Sequence, residues 1–149
     1  MFIKWSAIAL LACGLALPAG GAWADKVPGA KDALNSVRKQ AKVKKVKHSK
    51  TLQKVAENHA RDMSDNGFFS HTGSNGSSVG KRAKRQKYKY CFIAENIAQG
   101  QDSLDEVMAA WMRSEGHRKN MLHKKVREFG LARVGDDYWV MVLAKPGCR

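Results

Sequence analysis

Acidic side chains are scarce in this sequence: 13 Asp and Glu stand against 27 Lys and Arg, a formal net charge of +14 over 149 residues. That imbalance bears on solubility and on attraction to polyanions, not on fold. Cysteine is scarce too, with only Cys13, Cys91 and Cys148. There is one long apolar run, at the N-terminus, and no internal repeat or long linker. The tight H-x-x-x-H spacing that makes a metal site legible from sequence is missing. Ser70 neighbours His71 and Ser114 precedes His117 by three residues, but no oxyanion-hole or nucleophile-elbow motif accompanies either pair. No catalytic residue is assigned.

Lys4 is followed by the apolar run Trp5 to Leu17, then Pro18, two glycines and Ala22-Trp23-Ala24. This is the pattern of a secretory signal peptide cleaved after Ala24. The run is shorter than the roughly 20 residues a membrane-spanning helix needs. Residues 1–24 are therefore read as the leader and 25–149 as one domain. Leu10-Leu11-Ala12-Cys13 offers a competing lipoprotein reading, with Cys13 acylated, but Cys13 comes very early for it. Export to the periplasm or medium is expected, with no transmembrane helix in the mature chain, and a monomer. The leader carries only Lys4, so nearly all the positive charge stays. In an oxidising compartment, Cys91 and Cys148 are predicted to form one disulfide.

Leu34, Val37, Ala41 and Val43 recur at helical spacing within 33–46, and the basic stretch 42–50 at the far end of that helix is expected to include a turn. Ser49 can cap a second helix with Leu52, Ala56, His59, Ala60 and Met63 on its inner face, ending at Asn66-Gly67. His59 on that stripe is read as a buried structural histidine. Phe68-Phe69-Ser70-His71 opens a Gly/Ser/Asn-rich loop of the kind that presents a side chain to a cleft. A short helix over 79–86 is expected next. Glu95 and Asn96 then break the apolar run 91–98, and a carboxylate there needs a partner if buried. Ser103-Leu-Asp-Glu106 is a capping box opening a helix through Trp111 and Met112. A turn or short helix begins near His117, and strands over 129–134 and 138–144 form a hairpin across Gly135-Asp136-Asp137.

The most cationic segment, Lys81, Arg82, Lys84, Arg85, Lys87 and Lys89, interleaves charges with Tyr88 and Tyr90, a composition suited to polyanions. Export directs that reading toward lipopolysaccharide, acidic headgroups, cell-wall polymers or other external polyanions. Specific nucleic-acid binding is not expected, and a plain solvated cationic face is the alternative.

Five ordered motifs resemble the CAP superfamily (cysteine-rich secretory, antigen 5 and pathogenesis-related proteins), in its small bacterial secreted form. They are Leu34-Asn35-x-x-Arg38, Ala56-x-x-His59-Ala60-x-x-Met63, Phe69-Ser70-His71-Thr72, Glu95-Asn96-Ile97-Ala98 and Trp111-Met112-x-Ser114-x-Gly116-His117-Arg118-x-Asn120-Met121-Leu122. Phe129-Gly130-Leu131-Ala132 and Tyr138-Trp139-Val140 complete the match. The resemblance implies an α+β fold, a three-layer α-β-α sandwich around a small antiparallel sheet. It also implies that His71, Glu95 and His117 converge on one cavity, with Ser114 where animal and plant relatives usually carry a second glutamate, unless Glu115 substitutes.

Two imidazoles and a carboxylate are a sensible set for a weakly bound divalent metal such as zinc, with an open position for water. The alternative is that Glu95 and a histidine form a hydrogen-bonded pair that pins loop to sheet. The resulting expectation is an exported binding module with a His/Glu cavity and a cationic surface, whose ligand is a polyanion, a lipid or a cell-envelope component. A metal-dependent hydrolase using His71, Glu95 and His117 is the competing reading.

Overall fold

The computed structural model describes residues 25–135 and 138–148. The leader expected over 1–24, with Cys13, lies outside them, as do Asp136 and Asp137 of the predicted hairpin turn. Among the described residues no helix is long and apolar enough to cross a membrane.

The elements run β1 (Asp25–Lys26), α1 (Ala30–Gln40), β2 (Lys47–His48), α2 (Lys50–Asn66), α3 (Val79–Arg85), β3 (Tyr90–Gln99), α4 (Leu104–Arg113), α5 (Glu115–Met121), β4 (Glu128–Val134) and β5 (Tyr138–Pro146). The sheet order is β1-β4-β5-β3, antiparallel throughout that path. The two-residue β2 adds to β4 in parallel, so the sheet is mixed rather than purely antiparallel.

Side-chain alternation along β4 and β5 builds two cores, one on each face. Phe129, Leu131, Trp139, Met141 and Leu143 face Leu34 of α1, Val107 and Trp111 of α4 and Met121 of α5. Ala132, Val134, Val140, Val142 and Ala144 face Leu52, Val55, Ala56, Ala60 and Met63 of α2 and Ala83 of α3. The fold is thus α+β in three layers, and β5, covered on both faces, carries a continuous apolar run. Small residues on the α2 side let that helix approach the sheet closely. Gly130 is the extreme: a Cβ there would lie 2.5 Å from the Cα of Gln53 and closer still to the peptide joining Leu52 to Gln53. The Gln53 Oε1 accepts from the Leu131 N–H at 3.1 Å, fixing the approach.

Most helix ends follow the sequence. Ser49 Oγ accepts from Leu52 N–H, Gly67 closes α2 at φ 63°, and Ser103 Oγ accepts from Glu106 N–H. The first helix differs, covering Ala30–Gln40 rather than 33–46. Lys42 turns left-handed at φ 56°, and Val46 is held by paired bonds with Asn35, its N–H donating to Oδ1 at 2.8 Å and its carbonyl accepting from Nδ2 at 3.0 Å. The apolar Val46 is therefore buried by a returning chain, not by a fourth helical turn. Cys91 and Cys148 form the predicted disulfide, with Cα atoms 5.0 Å apart.

His59 is wholly buried on α2. Its Nε2–H donates to the Ser70 carbonyl at 2.9 Å, tying α2 to the following loop. Burial holds this imidazole below its usual range, aided by the charge of Arg82, against the opposing pull of Glu95. His117 and His123 are lowered too, in each case first by burial. For histidines whose folded pKa is depressed, the unfolded chain binds more protons in the window below about pH 6.5, so stability falls as pH drops through it.

Two outcomes follow from this packing. Gly130→Ala is expected to cost about 3 kcal/mol or more in urea unfolding, because the obstructing atoms are backbone. Gly116→Ala, on α5 with open space around its added Cβ, should be neutral or stabilising by about 0.5–1 kcal/mol. Unfolding free energy should also fall between pH 7.5 and pH 5. His59→Gln should be less stable at pH 7.5 yet lose less on acidification; an unchanged pH slope would show that His59 is not one of the groups responsible.

Candidate functional site

The site lies where edge strand β3 meets the loop 67–78 on one side and α5 on the other. Adjacent residues of a strand point to opposite faces, and Glu95-Asn96 uses both. Glu95 points toward the α2–α3 layer, where it meets His59, His71 and Arg82. Asn96 points toward α5: its Nδ2 donates to the His117 carbonyl at 3.1 Å, and its Oδ1 accepts from Asn120 Nδ2 at 2.9 Å. One dipeptide thereby fixes the positions of both expected cavity histidines.

Arg82 is the partner that buried Glu95 requires. Its Nη2 donates to Glu95 Oε2 at 2.6 Å, while Nη1 donates to the carbonyls of Ser77 at 2.6 Å and His71 at 3.0 Å. One guanidinium therefore joins strand, helix and two points of the loop, His71 and Ser77. Glu95 Oε1 accepts from His71 Nδ1–H at 2.9 Å and lies 3.9 Å from His59 Nε2. The loop is tied from its far side by Asp62, whose carboxylate accepts from the Ser74 N–H and hydroxyl at 2.9 and 2.6 Å. Burial works against the Asp62 anion, but the hydrogen bonds from Ser74 outweigh it and hold the carboxyl below its usual range.

The His71 side chain is 57% exposed while that of Glu95 is 2% exposed. With Nδ1–H donating to Glu95, Nε2 is the ring nitrogen left toward solvent. His117, on α5, is held below its usual range first by burial and then by the charge of His71, so the two imidazoles share one field. His117 and Ser114 line a groove of about 520 Å³ with Phe69, Ile97, Ala98, Gln99, Gln101, Ala110 and Trp111. Phe69, 49% exposed, is the one large apolar side chain displayed among the described residues. Glu115 is exposed at the start of α5 and does not line the groove, so no second carboxylate completes a tetrad there.

Among the described residues no three His, Cys, Asp or Glu side chains are gathered to hold a metal ion. The physical reason is the occupation of Glu95. One Glu95 oxygen is paired with Arg82 and the other accepts the hydrogen bond from His71 Nδ1–H, so as arranged His71, Glu95 and His117 are not assembled around one common point for an ion.

Two residues carry more here than their sequence positions suggested. Arg82, counted with the cationic surface, is buried at 8% exposure. Val79, Arg82 and Ala83 fall at i, i+3 and i+4, the inner-face spacing of α3, and that period was the available signal. His59, read as core, is buried as expected but also walls the site beside Glu95. The remaining cations of the segment, Lys81, Lys84, Arg85, Lys87 and Lys89, are exposed. Lys84, Lys87 and Lys89 line a groove of about 540 Å³ with Tyr88 and Tyr90. Tyr88 is turned inward, its hydroxyl donating to Glu128 at 2.7 Å.

Comparison with known proteins agrees with this architecture. The model of the cysteine-rich secretory protein family, CAP, matches residues 31–143. The Bacillus subtilis protein YkwD, uncharacterised, is 36% identical over 100 residues, covering 67% of this chain and 39% of its own. The B. subtilis membrane protein YlbC, also uncharacterised, is 28% identical over 100 residues, covering 67% of this chain and 29% of its own. The chain thus spans well under half the length of these curated relatives. Among solved structures, an extracellular SCP-domain protein of Bacillus anthracis superposes with a TM-score of 0.76 at 28% identity, over 80% of this chain and 40% of that one. An outer surface protein of Borrelia burgdorferi gives 0.76 at 20% identity, over 85% and 100%, a likeness of fold. With a family model matched across both core layers, the strand of Glu95 and the helix of His117, this chain belongs to the cysteine-rich secretory protein (CAP) family.

Proposed function

We propose that this chain is an exported, non-enzymatic binding module of 25–149, with the groove between Phe69 and Trp111 as its recognition site. The observation that carries this reading is the closure of Glu95 by Arg82 and His71. A carboxylate locked in a buried ion pair positions the loop and the His71 ring, and is not free to activate water. What the groove offers to solvent is an aromatic wall, aliphatic side chains and the His117 imidazole. That mixture suits a cell-envelope component or lipid with an apolar face and hydrogen-bonding groups.

The exposed cations on α3 and after it, with Tyr88 and Tyr90 beside them, supply attraction to polyanionic envelope polymers. Export is supported by the leader-like N-terminus, the disulfide, and the extracellular setting of the B. anthracis relative. The competing hydrolase reading would require Glu95 to leave Arg82.

A broad screen against esters, peptides, glycosides and phosphodiesters, with and without added zinc, is expected to show no turnover that Glu95→Gln or His71→Ala removes. Turnover lost in both variants while each is still folded at the assay temperature would overturn the binding-module reading. The two kinds of cation should separate cleanly. Replacing Lys84, Arg85 and Lys87 together by Gln should lower the salt concentration needed to elute the chain from heparin, with stability unchanged within about 0.5 kcal/mol. Arg82→Gln should instead cost about 3 kcal/mol or more, because it leaves the Glu95 charge buried and unpaired.

A further inference from the structure

Arg38 and Arg82 are both buried guanidiniums, yet they are held differently: Arg82 has the Glu95 carboxylate. Arg38, at 0% exposure, is held by carbonyls: Nε donates to Lys44 at 2.8 Å, and Nη1 to Met121 at 2.6 Å and His123 at 3.3 Å. Its Nη2 is buried and has no hydrogen-bond partner. Burial, and then the charge of Arg127, hold this guanidinium below its usual range. A desolvated cation with an idle donor and a second cation beside it is an unfavourable arrangement unless an anion completes it.

The surroundings extend that charge to the surface. Lys42, Val43, Lys44, Lys124 and Arg127 line a groove of about 390 Å³ that contains no acidic side chain. Arg127 turns its Nη1 back onto the carbonyls of Lys124 and Val126, at 2.7 and 2.8 Å. The two guanidiniums thus take up five carbonyls around the groove, those of Lys44 and Lys124 in its lining and those of Met121, His123 and Val126 next to it in the chain or behind it. Those acceptors would otherwise oppose an anion. Lys42 adopts φ 56° at the rim, a left-handed conformation that is unfavourable for a residue bearing a side chain. His123 lies flat on Phe92, ring centroids 4.1 Å apart and 9° from parallel. Its Nδ1 accepts from the Lys125 N–H at 3.2 Å, which leaves the proton on Nε2. Burial first, then the charges of Lys125, Lys119 and Arg38, hold this imidazole below its usual range.

We propose that the groove between residues 42–44 and 124–127, with Arg38 beneath it, is a binding site for a phosphoryl group, borne by a soluble phosphate or by a phospholipid headgroup. Lys42, Lys44 and Lys124 meet the anion from the surface, and Arg38 and Arg127 supply the positive field behind it. The site is separate from the Phe69–Trp111 groove and from the cationic run after α3, and does not depend on either being functional.

The test follows the His123 ring by NMR in the purified chain, titrating pH in inorganic phosphate and in chloride at equal ionic strength. Phosphate is expected to saturate and to raise the His123 pKa while leaving that of His59 in place. Replacing Lys42, Lys44 and Lys124 together by Gln, all exposed positions, should weaken phosphate binding about tenfold or more. The Lys84, Arg85 and Lys87 replacement should leave it unchanged, so failure here and failure of the heparin-binding surface are distinguishable. Flotation with phosphatidylglycerol vesicles, against phosphatidylcholine alone, separates the sources: binding lost in the Lys42/Lys44/Lys124 variant assigns a headgroup, and phosphate binding without flotation assigns a soluble phosphate. A His123 response identical in phosphate and chloride with no vesicle binding, or responses that survive the triple replacement, would overturn the proposal.

Discussion

The ion pair between Arg82 and Glu95 is the constraint on which the site depends. It closes at 2.6 Å between two buried side chains, and the same guanidinium holds the carbonyls of His71 and Ser77. Removing either charge would strand the other in a medium that solvates it poorly. The loop 67–78 has little apolar surface to hold it down. Its position instead follows from Arg82 at its centre, Asp62 at its tip and His59 at its root. His71 is exposed, yet its ring is oriented, because its Nδ1 proton is directed to a carboxylate that cannot move.

The second organising feature is the pleat of β3. Glu95 and Asn96 are neighbours in the chain but belong to different layers, one reaching α3 and the loop, the other α5. Asn120 and Asn96 bond to each other and to the backbone around them, so α5 is fixed to the sheet edge and carries His117 with it. Trp111 adds a third tie, its Nε1–H donating to the Ile97 carbonyl at 3.2 Å. The groove is therefore a seam between two independently packed layers, and its walls are as rigid as the cores behind them.

Charge is partitioned in a way that composition alone conceals. The few carboxylates near the sheet are used inside or at its margins, Glu95 by Arg82 and Glu128 by Tyr88, while most lysines remain in solvent. The two buried arginines show how far partners can differ within one chain. Arg82 is neutralised by an anion of the fold, whereas Arg38 organises carbonyls from α1's exit and α5's end.

Much of this molecule was legible before its tertiary structure. Helix α2 was bounded by Ser49 and Gly67, α4 by its capping box, and the β4–β5 hairpin by the turn signal at Gly135-Asp136-Asp137, because caps and glycine turns act over four or five residues. The motifs from Leu34 to Leu122 placed the family and the layered fold, and Cys91 and Cys148 placed the disulfide. A turn within 42–50 was legible, but the end of α1 at Gln40 and the parallel β2 were not. Val46 continues a helical period in sequence, and only the distant Asn35 and β4 backbone draw it into a different path. Nor did the sequence by itself separate Arg82 from the lysines around it. A run of cations looks uniform in one dimension, and which member is buried depends on α3 being pressed against β3. The occupation of Glu95 was likewise decided by tertiary structure, since the atoms that saturate it come from residues 13 and 24 positions away along the chain, beyond the reach of any local rule.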